Sequence, residues 1–260
     1  MSPTRIATYL ACPVKYRWTY VDARGKWYIR AKSYYSFGSS LHRVLERFHD
    51  SNDTGVTTTD EAVAALEENW IEAGYGSQEE MMQSLAEGKE ILAAHVEELA
   101  KTPVTAQTLY VEKMLRKDLG SFTLIGRIDR VDEHEDGTLE IIDYKSGRQG
   151  VTEEEVKTDL AMGVYQVLLR HLHPDRNVVA SIIALRTGAK ATASLTEDEI
   201  AEFEGDIRAL GEMILERDYA NLEPVGKALC LRCDFVPLCQ RHPEFSISGL
   251  APESSESSLP

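Results

Sequence analysis

The chain holds 260 residues, 43% hydrophobic and 27% charged, which suits one large or two small globular domains and excludes disorder as the default state. No apolar run approaches the ~20 residues a bilayer-crossing helix needs, and the opening MSPTRIATYLACP lacks the basic-then-apolar layout of a signal peptide, so a cytoplasmic chain with no membrane partner is expected. The net charge of −15 weighs against a nucleic-acid partner, since phosphate binding draws on Lys and Arg, but residues 1–50 carry +6 and the remainder −21.

Within those first fifty residues Tyr16, Trp18, Tyr20, Trp27, Tyr28, Tyr34, Tyr35 and Phe37 alternate with the cations. The mixture fits a single-strand platform of stacking rings and charge, or equally a basic surface over core aromatics. Ser2-Pro3 reads as an N-cap and first-turn proline, opening a helix that ends near Cys12-Pro13. From Gly38 to Asp50, Leu41, Val44, Leu45 and Phe48 form one apolar helical stripe. Thr58-x-x-Glu61 is a capping box for a helix carrying Val63, Leu66 and Trp70, and a longer polar helix follows over 79–101. Together these make a helical insertion, 51–105, before the first strand.

Residues 108–117, 121–131 and 138–145 then alternate apolar and polar, separated by the turn-like Asp118-Leu119-Gly120 and Glu135-Asp136-Gly137, which predicts a three-stranded meander. A helix near 154–172, strands at 178–185 and 191–195, and a last long helix capped by Thr196-x-x-Glu199 complete the pattern. The order implies one α/β domain over 1–243, a mixed central sheet flanked by helices, with a disordered Ser/Glu/Pro-rich tail over 244–260. No GxxxxGK[ST] loop is present, so the chain does not encode an ATP motor.

The chemistry concentrates in two places. The first is Asp129 on the second strand with Asp143-Tyr144-Lys145 at the end of the third. Three D/E-x-K triplets occur, at Glu87, Asp143 and Glu155, about what chance provides, so context decides. Glu87 and Glu155 fall in helical patterns, where i and i+2 diverge by about 200°. In a strand Asp143 and Lys145 share a face and Tyr144 points away. Crowded carboxylates repel unless a cation lies between them, and hard oxygen ligands suit Mg²⁺ or Mn²⁺. A salt bridge across a hairpin is the plain alternative. His42 and Glu46, four apart on one polar helix face, favour the metal, and Arg43 and Arg47 beside them suit phosphates.

The second place is Cys230-x2-Cys233-x5-Cys239, three of the four cysteines within ten residues, with Cys12 lying 218 positions upstream. A shared centre is expected, either structural zinc or an iron-sulfur cluster; four independent buried thiols are the alternative.

SPTRIATYLACPVKYRWTYV, GSSLHRVLERF, GRIDRVD, IIDYKSGR and CLRCDFVPLCQ, in that order and across nearly the whole chain, resemble the RecB-like branch of the PD-(D/E)xK nuclease superfamily. The likeness is to its iron-sulfur exonucleases, which include CRISPR-associated adaptation nucleases and the nuclease domain of AddB-type repair enzymes. The resemblance implies a restriction-endonuclease-like fold with an iron-sulfur staple, residues 228–241, joining the chain ends. It implies His42, Asp129 and Asp143 as ligands of Mg or Mn, completed by the Tyr144 main-chain carbonyl, and Lys145 as the catalytic lysine. It places a [4Fe-4S] cluster on Cys12, Cys230, Cys233 and Cys239. Glu112 matches an acidic position common in the family and stands second, with Glu46 and Tyr165; Arg43, Arg47, Lys15 and Arg17 are the DNA contacts expected.

The activity implied is metal-dependent exonucleolysis of single-stranded DNA or DNA ends, in repair, recombination or CRISPR adaptation, alongside a helicase or a CRISPR or recombination protein. One departure stands out. The family carries Gln-x-x-x-Tyr after the lysine strand, and here Tyr165 is preceded by Ala161 at the glutamine position. That favours a rival, a non-catalytic DNA-binding or assembly subunit, which the intact Asp129, Asp143 and Lys145 oppose. A hydrolase or transferase acting on a non-nucleic substrate is a third reading, separable by salt dependence.

Overall fold

The computed structural model describes residues 1–50, 52, 54–101 and 105–251. Along the chain run helices α1 (Pro3–Ala11), α2 (Pro13–Tyr16), α3 (Ser33–His49), α4 (Thr59–Glu68) and α5 (Gln78–Lys101), then strands β1 (Ala106–Asp118), β2 (Thr123–His134) and β3 (Leu139–Lys145). Helices α6 (Glu153–Thr158) and α7 (Leu160–Leu172), strands β4 (Val178–Ala184) and β5 (Ala189–Ala193), and helices α8 (Glu197–Glu216) and α9 (Val236–Cys239) follow. Two compact units result, Ala31–Asp206 and a terminal unit of Met1–Arg30 with the segment from Ile207 onward.

In the terminal unit Ser2 caps α1 through its side chain and Pro3 occupies the first turn, as the sequence predicts. Val14, Trp18, Phe235, Leu238 and Cys239 form its core, with Cys12, Cys233 and Phe245 packed against them. Lys227 Nζ donates to the Ala11 carbonyl at 3.0 Å and Arg217 Nη1 to the Tyr9 hydroxyl at 3.2 Å, so segments from the two ends of the sequence close on each other. The aromatic stretch divides: Tyr16 and Trp18 are core, whereas Trp27 is 79% exposed. Of the expected tail, residues 252–260 lie outside the described residues.

The Ala31–Asp206 unit is built on a five-stranded sheet of order β1-β2-β3-β4-β5. The first three strands form the antiparallel meander read from the alternation, β4 adds parallel to β3, and β5 returns antiparallel. Phe37, Leu41, Val44 and Leu45 of α3 pack with Leu66, Leu92 and Val96 against Ile142, Tyr144 and Ile183 of the sheet, the apolar stripe finding its partner. Two of the differences from the expected boundaries have a clear local cause. Helix α3 begins at Ser33 and runs through Gly38, where a Cβ would lie 3.0 Å from Ser146 Oγ; the glycine lets the helix approach the end of β3. The helix expected over 154–172 is two helices, because Asp159 turns extended and its carboxylate caps the N–H groups of Ala161 and Met162. Aspartate prefers that role to a helix interior.

Candidate metal centre and nuclease site

The alternation that builds β3 directs Asp143 and Lys145 together, and Lys145 Nζ lies 2.9 Å from Asp143 Oδ2. Tyr144 faces the other way, into the cluster with α3. Of the two chance-level triplets, Glu87 lies in α5 and Glu155 in α6, so Asp143-x-Lys145 is the one carried by a strand. Asp129 accepts the Tyr144 main-chain N–H through Oδ2 at 2.9 Å. His42 reaches in from α3: Nδ1 stands 3.4 Å from Asp129 Oδ2 and Nε2 stands 2.9 Å from the Tyr144 carbonyl oxygen. His42, Asp129 and the Tyr144 backbone therefore meet, whereas Asp143, expected as a ligand beside them, pairs with Lys145 and falls outside the group of ligand atoms gathered there.

Glu112 belongs with them. Among the described residues, His42, Glu112 and Asp129 are the group whose ligand atoms all lie within 4.8 Å of one another. The β1–β2 register pairs Val111 with Arg130 and Lys113 with Ile128, which sets Glu112 across from Asp129. The hairpin closes on Asp118 paired with Thr123, three numbers off the register that a 118–120 turn implies, which would have set Glu112 opposite Gly126; the sequence pattern therefore does not reveal this neighbour. Glu112 also has φ 47°, a left-handed conformation that costs a non-glycine residue about 1–2 kcal/mol and gathers at functional sites.

Electrostatics explain why a cation belongs here. Burial pushes the Asp143 carboxyl up to about 6, with Asp129 adding to it against the pull of Lys145. Burial likewise lifts Glu112 to about 7, with Asp129 adding and Arg127 opposing. Burial disfavours charge on His42, yet Asp129, Asp143 and Glu112 outweigh it and raise the imidazole to about 9. Burial also works against the Asp129 carboxylate, but His42, the Tyr144 N–H and Lys145 hold it below its usual range. Asp143 is buried and Asp129 and Glu112 are half-buried, and Asp129 works against charge on both of the others. The oxygen-rich set with one imidazole fits a hard divalent ion.

The surroundings are specific. Glu46, His49 and Arg130 line the same recess as His42, Glu112, Asp129 and Tyr144. The Tyr165 ring packs on β2 at Gly126, where a Cβ would come within 2.9 Å of it, and burial followed by Asp143 and Asp129 raises its hydroxyl pKa. Gln166 does not replace the glutamine missing at Ala161, since it is fully buried and its Oε1 accepts the Leu195 N–H at 3.0 Å. In the recess wall Arg130 binds Asp132, donates to the Tyr144 hydroxyl at 3.0 Å and meets His49 Nε2 at 2.8 Å. Of the expected DNA contacts, Arg43 is exposed, whereas Arg47 is spent on the Thr54 carbonyl at 2.8 Å. In the terminal unit Lys15 is half-buried, and Arg17 reaches the Ala220 carbonyl at 3.4 Å and lies over the Trp18 ring.

That unit also gathers the cysteines. None is in a disulfide, and Cys12 Sγ accepts the Lys15 N–H at 3.4 Å. Burial pushes the Cys239 thiol up to about 12, with Cys233, Cys12 and Cys230 adding to the shift, which places all four thiols within electrostatic reach of one another.

A family model described as "PD-(D/E)XK nuclease superfamily" matches residues 1–240. A solved structure described as "Crystal structure of SSO0001" is similar over 80% of this chain and 95% of that chain, at 14% identity and a TM-score of 0.35, too low to carry an argument. No curated protein matches the sequence. No helix among the described residues is long and apolar enough to cross a membrane.

Proposed function

Because the chain belongs to the PD-(D/E)XK nuclease superfamily, we propose that it is a metal-dependent DNA exonuclease hydrolysing phosphodiester bonds of single strands or DNA ends, acting in repair, recombination or CRISPR adaptation beside a helicase or recombination protein. The observation that carries the reading is the convergence of His42 from α3, Glu112 from β1 and Asp129 from β2 within 4.8 Å, beside the β3 strand that presents Asp143 and Lys145.

His42, Asp129, Asp143 and the Tyr144 carbonyl, joined by Glu112, would hold Mg²⁺ or Mn²⁺, which supplies Lewis-acid polarisation of a phosphoryl oxygen and acidification of a bound water. The remaining work falls to the chain. Burial disfavours charge on Lys145, but Asp143, Asp159 and Asp129 raise its pKa, so it stays an ammonium that orients water or stabilises charge building on the phosphate and does not serve as a base. Asp129 and His42 clamp the two sides of the Tyr144 peptide and fix the end of β3. Tyr165 walls the site.

The four thiols support a [4Fe-4S] centre on Cys12, Cys230, Cys233 and Cys239. None is in a disulfide, Cys12, Cys233 and Cys239 share one apolar cluster with Cys230 within electrostatic reach, and as a set of four sulfur donors they match such a centre. Bound there, the cluster would tie the ends of the sequence within the terminal unit.

A non-catalytic DNA-binding role is favoured by one observation, Ala161 with Gln166 committed to the core. The two readings separate on end-labelled linear and circular single strands incubated with Mn²⁺, with and without EDTA. Release of mononucleotides or short products from linear strands alone, abolished by EDTA, supports the exonuclease. Binding without loss of label supports the non-catalytic role, and cutting of circles shows endonucleolysis.

A further inference from the structure

Arg127 stands on β2 two residues ahead of Asp129, and its Nε lies 2.5 Å from Glu112 Oε2. The partners differ in setting: the arginine side chain is 57% exposed and the glutamate 13%. The other cations around the acidic recess are less available. Lys145 is 22% exposed beside Asp143, and Arg130 is 13% exposed and engaged by Asp132, Tyr144 and His49. A phosphodiester approaching this recess meets carboxylates, so its own charge needs a guanidinium at the rim. The contact with Glu112 uses Nε, and a guanidinium carries four further N–H donors in a planar fork suited to phosphate. Glu112 is itself fixed by its left-handed backbone opposite Asp129, so it holds the arginine at one place on the rim.

We infer that Arg127 is a substrate-binding residue that takes a phosphodiester oxygen of the DNA strand while Glu112 aims it. The inference rests on the nuclease reading above and deepens it. The plain alternative is a salt bridge that only neutralises Glu112.

The test is a double-mutant cycle of Arg127→Gln and Glu112→Gln in the full chain. It reads the affinity for a fluorescent 20-nucleotide oligo-dT across a salt series in Ca²⁺, with thermal unfolding recorded to confirm that each variant is folded. Arg127→Gln should weaken oligonucleotide binding about tenfold and flatten the log–log salt slope by about 0.7, and because Glu112 aims the side chain the loss should shrink, without vanishing, when Glu112 is already glutamine. Arg127→Lys should recover part of the affinity, because charge returns without the fork. Unchanged binding by Arg127→Gln, or a loss that disappears in the Glu112→Gln background, overturns the inference. Since binding is read without cleavage, a parent chain that binds oligo-dT but never cuts it defeats the nuclease reading while leaving the Arg127 comparison valid. A parent that does not bind at all defeats both.

Discussion

Asp129 accepts the main-chain N–H of Tyr144 at 2.9 Å, beyond the last β2–β3 pair, Arg130 with Ile142. Where the strands part, a side chain takes over the ladder bond, and the same carboxylate that ties the fold faces the candidate metal. Structure and chemistry therefore separate by substitution. Asp129→Ala leaves a buried N–H without its acceptor and should cost about 1–3 kcal/mol of stability. Asp129→Asn keeps an acceptor and should unfold near the parent temperature. Both should lose cleavage by about a hundredfold or more. Denaturant melts beside initial rates check the pair.

The Tyr144 peptide matters to the site, whereas its hydroxyl serves the packing. Tyr144→Phe removes the bond from Arg130 and should cost about 1 kcal/mol with cleavage within about twofold of parental. Asp132→Ala leaves the Arg130 charge buried without its carboxylate and should cost about 3–5 kcal/mol. Chemical denaturation distinguishes the two, and a large loss of cleavage in folded Tyr144→Phe would contradict this division of labour.

Burial, followed by the Arg130 charge, pushes His49 down to about 3 and His95 down to about 4. Each takes up a proton more readily when the chain unfolds, so the contribution of these two histidines to stability is full above about 6.5, the unfolded histidine value, and falls as pH drops toward 4. The slope is up to about 1.4 kcal/mol per pH unit for each histidine. Asp143 and Glu112, raised to about 6 and about 7, contribute the opposite slope over the same range, so the histidine contribution is read by difference: between about pH 6.5 and 4 the melting temperature of His95→Phe should fall less, or rise more, than the parent's.

On the proposed cluster, anaerobically purified protein should be brown, and Cys233→Ala should bleach that colour. By analogy with loop closure by a disulfide, it should lower stability by up to about 5 kcal/mol. Absorbance near 400 nm and iron content check this; a colourless, zinc-loaded parent would overturn the cluster assignment.

Much of this was legible in the sequence for physical reasons. The meander announced itself by alternation, and the D-x-K triplet that lies on a strand could be told from two on helices by period alone. The helix break at Asp159 escaped because the apolar stripe of α6 and α7 continues across it, although the aspartate is a capping residue. Glu112 was underrated because its role depends on cross-strand register and a left-handed backbone, neither of which a periodic pattern displays. The division of the N-terminal aromatics into buried Trp18 and exposed Trp27 is set by tertiary packing, which composition does not encode.

The central claim, that the β2–β3 acids and Lys145 form a hydrolytic centre, is tested most directly by Asp143→Ala, assayed with Mn²⁺ on end-labelled single-stranded DNA beside a parallel thermal melt. The account predicts a folded protein whose cleavage falls to the level seen with EDTA. Degradation by that variant at the parental rate would contradict it.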